Sequence, residues 1–355
     1  MKKLAITMGD PGGVGPEIIL KALNSSEVRN CCAPIVIGDA GIIEDTFNLL
    51  KLPLKIKILQ SPVESRHRKD TIELIDPGRK TISSAASLHF PALRRIRWGK
   101  EKGGQGGIFR GEIFPKSKPT TAGGEACVSY IRKAVELALN KQVDGIVTAP
   151  ISKEALKMAG FAWPGHTEML AGLTKTKDYA MMLVGGHLRV ILVTIHTALK
   201  NVPGLITKQR VIKTIRLAKK ACAMLKIRNP RIAVAGLNPH SGEAGIFGDE
   251  EIKKIIPAIK SVAKEGIPVS GPYPPDTIFH KAYKGEVDII VCMYHDQGLI
   301  PLKMIAFDTG VNVTVGLPFV RTSPDHGTAY DIAWRGAANP SSMIEAIKLA
   351  AKLRV

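Results

Sequence analysis

Three histidines stand just past apolar runs of the chain: His196 after LVTI, His240 after AVAGLNP and His295 after IVCMY. In open α/β sheets ligands collect beyond the carboxyl ends of the strands, so polar residues in that place are the ones to weigh. A single histidine there is an ordinary capping or packing residue. Three together match the set of side chains that a catalytic divalent metal commonly takes, with one coordination position left for substrate or water. Their long spacings exclude a zinc-finger arrangement and suit strand ends gathered by a sheet. His240 lies in GLNPHSGEAGIFGDEE (236–251), pinned between Gly-rich turns. Asp296 and Gln297, next to His295, are placed to orient its ring.

Other residues extend the chemistry. In WPGHTEML a Gly-rich turn presents His166 and Thr167 at the start of an apolar helix, although Thr167 and Glu168 equally suit an N-terminal cap. Lys303 in GLIPLKMIAF follows a His-Asp-Gln turn by a few residues, where a lysine binds anions or moves protons. Arg321 in GLPFVRTSPDHG carries a fork suited to carboxylate or phosphate, and Asn312 opens the apolar run before it. The N-terminal GDPGGVGPE is neither a Walker loop nor a complete G-x-G-x-x-G, so a tight strand-to-helix turn is its plain reading.

These residues need strands to end beneath them. KLAITMG, APIVIGD, LKIKILQ, VDGIVTAP, LRVILVTIH, RIAVAGLN and VDIIVCMYH read as strands. Between them PEIILKALN, GGEACVSYIRKAVELALNKQ, TKQRVIKTIRLAKKACAML, EEIKKIIPAIKSVAKEG and PSSMIEAIKLAAKLRV read as helices. Strands that are apolar throughout and alternate with helices predict an α/β fold with largely parallel sheets covered on both faces. At 355 residues the chain exceeds the size at which one core usually keeps growing, which predicts two domains. No internal repeat or low-complexity linker marks a boundary.

The first apolar run stops at Gly9-Asp10-Pro11, too early for a signal peptide, and no stretch approaches the roughly 18 apolar residues of a membrane helix. A cytoplasmic protein with no membrane partner is expected. Five cysteines without C-x-x-C spacing argue against a disulfide framework or a thiolate zinc site. The formal charge of +19 is concentrated between Arg66 and Lys118, where Trp98 stands among Arg94, Arg95 and Arg97. No nucleic-acid-binding signature accompanies that charge. A solvated excursion whose field attracts anionic metabolites is expected rather than a nucleic-acid partner, which stays as the remote alternative.

TMGDPGGVGPE, VTAPISKEAL, GHTEML, GLNPHSGE, YHDQGLIPLK and GLPFVRTSPDHGTAYDIA together resemble, in order and approximate spacing, the 4-hydroxythreonine-4-phosphate dehydrogenase family. The match spans nearly the whole chain and is poorest over residues 60–120, which are longer and more basic than the family's pattern. The resemblance implies NAD- or NADP-dependent oxidation of the C3 hydroxyl of 4-phosphooxy-L-threonine, followed by decarboxylation, in pyridoxal phosphate synthesis. It implies that His196, His240 and His295 hold one divalent cation (zinc, magnesium or cobalt). It places His166, Thr167, Lys303, Asn312 and Arg321 on the phosphorylated substrate, with Lys303 and His166 as catalytic groups. It also implies a homodimer with shared sites, one of the three histidines coming from the partner chain.

Residues 326–346, HGTAYDIAWRGAANPSSMIEA, are similar to the HG-x-A-x-DIAG-x-G-x-ANP segment of isopropylmalate and isocitrate dehydrogenases, whose adenosine sits on that loop. This likeness implies an isocitrate/isopropylmalate dehydrogenase-like α/β/α fold. It puts the dinucleotide on His326, Gly327, Thr328, Ala329, Asp331 and Asn339. Trp334 stands where those enzymes usually have Gly, and a loop that merely ends a strand and caps the last helix is the alternative. The motifs divide the chain into a discontinuous cofactor-side domain, 1–160 plus 300–355, and a metal, substrate and dimerisation domain, 161–299. Relatives that oxidise 4-phospho-D-threonate or 4-phospho-D-erythronate share these motifs and remain the alternative substrates.

Overall fold

The computed structural model describes residues 1–78 and 115–355. Trp98 and the arginines around it, with most of the basic excursion, lie outside the described residues. Twelve strands form one sheet: β1 Lys3–Thr7, β2 Ala33–Ile37, β3 Lys55–Ile58, β4 Thr71–Ile75, β5 Gly145–Thr148, β6 Ala180–Gly185, β7 Leu188–Leu192, β8 Ile232–Ala235, β9 Val269–Tyr273, β10 Ile289–Cys292, β11 Val311–Val315 and β12 Val320–Pro324. Their order is β3-β4-β2-β1-β5-β12-β11-β6-β7-β10-β8-β9.

The sheet is largely parallel, as the alternation predicts, but it is continuous, and its centre is antiparallel. From β3 to β12 every neighbouring pair is parallel, and so is every pair from β7 to β9. Between these flanks β11 runs antiparallel to both β12 and β6, and β6 antiparallel to β7. Three reversals in series leave the two flanks pointing in opposite directions. Short connections impose this: β6 and β7 are joined by the two residues Gly186 and His187, with Gly186 at φ 56, a hairpin that admits no crossover.

Helices cover both faces, and β12 shows how the faces are assigned. The Thr322 hydroxyl donates to Ala346 O in the helix Ser341–Lys352, which buries Met343, Ala346, Ile347 and Ala350 against the sheet. Arg321 and Ser323, one residue either side, therefore face the opposite way. Against β1 and β5 of this same flank, the helix Thr121–Leu139, capped by Thr120 Oγ1 accepting from Gly123 N at 2.9 Å, crosses the helix Lys153–Met158 at Gly124. A Cβ there would lie 2.2 Å from Ala155 O, so the crossing requires glycine. No described helix is long and apolar enough to cross a membrane.

Candidate active site

The antiparallel centre of the sheet floors a cavity of about 360 Å³. Register explains which side chains reach it. Asn312 pairs with Leu183 and Ser323, and Thr314 with Met181, so these residues share one face with Arg321. Arg321 is only 1% exposed. Its Nη1 donates to Thr314 Oγ1 at 3.0 Å and its Nη2 to Thr148 Oγ1 at 2.6 Å, while Nε has no partner. Burial without a paired carboxylate pulls its pKa down to about 9, opposed by the nearby Glu168. Asn312 Oδ1 is likewise buried and unpaired, its Nδ2 facing only Met181 Sδ at 3.2 Å.

His166 opens the helix His166–Leu173 behind the N-cap Gly165, so Thr167 is not the cap and instead lines the cavity. The His166 Nε2 is buried and unpaired. Burial first, and the Arg321 cation second, hold this imidazole well below the ordinary histidine range, so it is neutral. Lys303 comes from the helix His295–Ala306, whose first turn is the His-Asp-Gln sequence. Its Nζ lies 3.6 Å from Asp325 Oδ2, a carboxyl that burial pushes up and Lys303 draws down.

Of the three histidines, two come together. His196, beyond β7, and His295, beyond β10, have ring centroids 5.6 Å apart. His295 Nδ1 contacts Asp296 Oδ1 at 2.6 Å, which leaves Nε2 for another partner. Partial burial, then Lys153 and His295, hold the His196 pKa down. Gln297 does not orient the ring: its Oε1 accepts from Met293 N at 2.6 Å and its Nε2 donates to Gly236 O at 2.7 Å, tying the end of β10 to that of β8.

His240 is elsewhere. Residues His240–Ala244 all have positive φ, a left-handed turn. It is anchored by the buried Glu251, which accepts from Leu237 N at 2.7 Å and Asn238 N at 2.8 Å. The turn leaves the His240 side chain 64% exposed. Strand order alone does not separate them, since β10 has both β7 and β8 as neighbours; the left-handed turn after β8 carries the His240 ring away from the cavity. Among the described residues of one chain no group of three His, Cys, Asp or Glu side chains is arranged to hold a metal.

The loop after β12 brings His326 and Gly327 to the cavity edge. A Cβ on Gly327 would meet nothing within 4 Å, so its backbone borders open space. Asp331 is exposed and Thr328 and Ala329 are half-buried. Asn339 is partly committed, its Oδ1 accepting from Ser341 N at 3.0 Å and Ser341 Oγ at 2.7 Å. GDPGGVGPE is a tight turn packed against this loop, as the bond from Val14 N to Thr328 O at 2.9 Å shows.

Sequence reasoning singled out neither Lys153 nor Asp325, and it missed Thr148 and Ser323; all four line the cavity, as does Glu168, read from sequence only as a cap. Lys153 and Asp325 follow the ends of β5 and β12, the same signal that marked the histidines. The combined inventory is cationic with hydroxyl partners, suited to a small anionic ligand, and adjoins two imidazoles able to ligate a cation.

The profile of the family described as pyridoxal phosphate biosynthetic protein PdxA matches residues 30–350. A 4-hydroxythreonine-4-phosphate dehydrogenase of Desulfosudis oleivorans is 46% identical over 349 residues, 98% of this chain and 94% of that protein. A D-threonate 4-phosphate dehydrogenase of Pectobacterium atrosepticum is 42% identical, with 99% of each chain covered. The crystal structure of a 4-hydroxythreonine-4-phosphate dehydrogenase from Burkholderia phymatum matches with a TM-score of 0.81 at 39% identity, over 100% of this chain and 99% of that one. Sequence and fold agree along the chain, from the β1 turn to the loop after β12: it belongs to the PdxA family and is an oxidoreductase.

Proposed function

We propose that the cavity binds 4-phosphooxy-L-threonine and that the enzyme oxidises its C3 hydroxyl. The hydride goes to NAD and the hydroxyl proton to Lys303 or an adjacent water. The product, 2-amino-3-oxo-4-phosphooxybutanoate, then loses carbon dioxide to give 3-amino-2-oxopropyl phosphate. The observation that carries this reading is the set of buried polar atoms left without partners on one cavity: His166 Nε2, Asn312 Oδ1 and Arg321 Nε. A buried polar group costs about 1–3 kcal/mol when unpaired, so three on one wall mark a surface shaped for a polar ligand. Arg321, Lys303, His166 and Thr167 hold phosphate and carboxylate, and Asn312 takes a substrate hydroxyl or amine.

Two imidazoles fit a divalent cation, with His196 and His295 from one chain and His240 of the partner subunit as the third ligand. A cation bound there supplies a lowered pKa for the substrate hydroxyl. The dimer is supported by an apolar stripe on the His295–Ala306 helix and just beyond it, where Ile300, Met304 and Phe307 are exposed at helical spacing, and by exposed Ile246 and Phe247 beside the His240 turn. Mixing His240→Ala with His295→Ala should restore part of the activity lost in each. No recovery after confirmed subunit exchange would remove the shared site. The dinucleotide lies on 326–331, where Gly327 leaves room, which makes 1–160 plus 300–355 the cofactor side and 161–299 the metal and dimerisation side.

A second reading, oxidation of 4-phospho-D-threonate, is favoured by relatives named for that substrate at 42% identity. NAD reduction measured side by side with both substrates decides between them. Turnover of the L-threonine ester at the higher kcat/KM supports the first reading; turnover of the D-threonate ester alone replaces it.

A further inference from the structure

We infer that the N-terminal turn Gly9–Val14 is a latch that holds the loop 326–336 in its dinucleotide-ready shape, with Asp10, Tyr330 and Trp334 as positioning residues. This rests on the reading that the dinucleotide lies on that loop. Asp10 is 1% exposed and pairs with no cation among the described residues. Its Oδ1 accepts from Gly12 N at 2.9 Å and its Oδ2 from the Tyr330 hydroxyl at 2.7 Å. Taking a carboxylate out of water is costly unless its oxygens are met, so Asp10 and Tyr330 depend on each other. Burial pushes the Asp10 carboxyl up, and the Tyr330 hydrogen bond opposes it.

Further bonds join the same two segments, far apart in sequence. Trp334 Nε1 donates to Pro11 O at 3.1 Å and Val14 N to Thr328 O at 2.9 Å. Ser117 bridges both, its N donating to Gly12 O at 2.9 Å and its Oγ to Ala333 O at 3.1 Å, while Lys116 Nζ sits 4.1 Å from the Trp334 ring centroid. Gly13 permits the approach, because a Cβ there would lie 2.9 Å from Thr328 O. The loop needs holding: Ala329 at φ 41 and Trp334 at φ 64 occupy left-handed backbone that non-glycine residues adopt at a cost. All of these bonds face the N-terminal turn, whereas His326, Gly327 and Asp331 are exposed. The latch residues thus act through the loop, not on the ligand.

A loop populated in its competent shape only part of the time weakens apparent affinity by that fraction. Tyr330→Phe and Asp10→Asn should each raise the Kd for NAD, measured calorimetrically without substrate, by roughly tenfold. The double variant should be less than additive, because both substitutions act on the one contact between Asp10 and Tyr330. Amide hydrogen exchange in 326–336 of the ligand-free protein should quicken in step. Unchanged Kd and exchange in Tyr330→Phe, or full additivity in the double variant, would overturn the latch. Should Asp10→Asn fail to fold, Tyr330→Phe decides alone. Gly327→Val and Asp331→Ala test the underlying reading separately: if neither weakens NAD binding, the dinucleotide is not on this loop, whatever Tyr330→Phe does.

Discussion

The cavity floor and the interlocked loops beside it are both built from buried polar groups, and they differ in whether those groups are paired. At the loops Asp10, Gly12, Tyr330 and Trp334 have partners within the chain. On the floor, Arg321 Nε, Asn312 Oδ1 and His166 Nε2 have none. The contrast separates two uses of a polar residue in a protein interior. Paired groups fix one piece of backbone to another. Unpaired ones, opening on the same space, keep a desolvation cost that a ligand removes, and binding recovers it.

The contrast breaks most visibly at Arg321. If its unpaired Nε is part of a ligand fork, Arg321→Lys keeps a cation but loses the planar geometry, and kcat/KM for the phosphorylated substrate should fall roughly ten- to a hundredfold. The Kd for NAD should stay as it was. Loss of folding with no change in kcat/KM for the surviving protein would place Arg321 with the structural, paired groups. A smaller effect is expected at Thr148, which holds Arg321 Nη2 at 2.6 Å without belonging to the fork's free edge. Thr148→Val should raise KM by roughly fivefold, the worth of about 1 kcal/mol of lost orientation, with kcat little changed. An effect as large as that of Arg321→Lys would show that the hydroxyl itself meets substrate.

The sequence made the paired and apolar parts of the fold easier to read than the site. β1, β5, β8 and β10 were legible because KLAIT, GIVT, IAVA and IIVC are apolar almost throughout and buried. β12, VRTSP, was not, because the residues it turns toward the cavity are Arg321 and Ser323, and function had removed the pattern that marks a strand. β9, VSGPY, is an edge strand with Gly and Pro inside it. The helix expected over 250–266 is a π turn, Glu251–Ile255, followed by an α-helix from Ile256, since Pro257 cannot supply the amide that would join them. His196 and His295 follow β7 and β10, as their place after apolar runs predicts, and lie side by side. That His240 stands apart from them within one chain follows from the left-handed turn His240–Ala244, and that turn is held by a contact with Glu251 further along the chain. The same holds for Asp10 and Tyr330, whose pairing no local motif announces.

A further effect, read on stability rather than on turnover, concerns His166, and it tests whether the floor is desolvated as its unpaired atoms imply. Burial and the Arg321 cation keep its folded pKa well below the ordinary value, so the folded protein resists taking a proton there while the unfolded chain accepts one as pH falls through about 6.5. The sign follows: the unfolded state binds more protons in this window, so stability drops as pH falls from 7 toward 5. One proton contributes a slope of at most about 1.4 kcal/mol per pH unit. His166→Asn retains a polar side chain of similar reach but does not titrate, and should flatten the acid side of a plot of urea midpoint against pH while leaving the neutral side in place. An equal slope in both proteins would mean that His166 takes its proton in the folded state as readily as in water. The cavity floor would then be wet, and its unpaired atoms would be satisfied by solvent rather than kept for substrate.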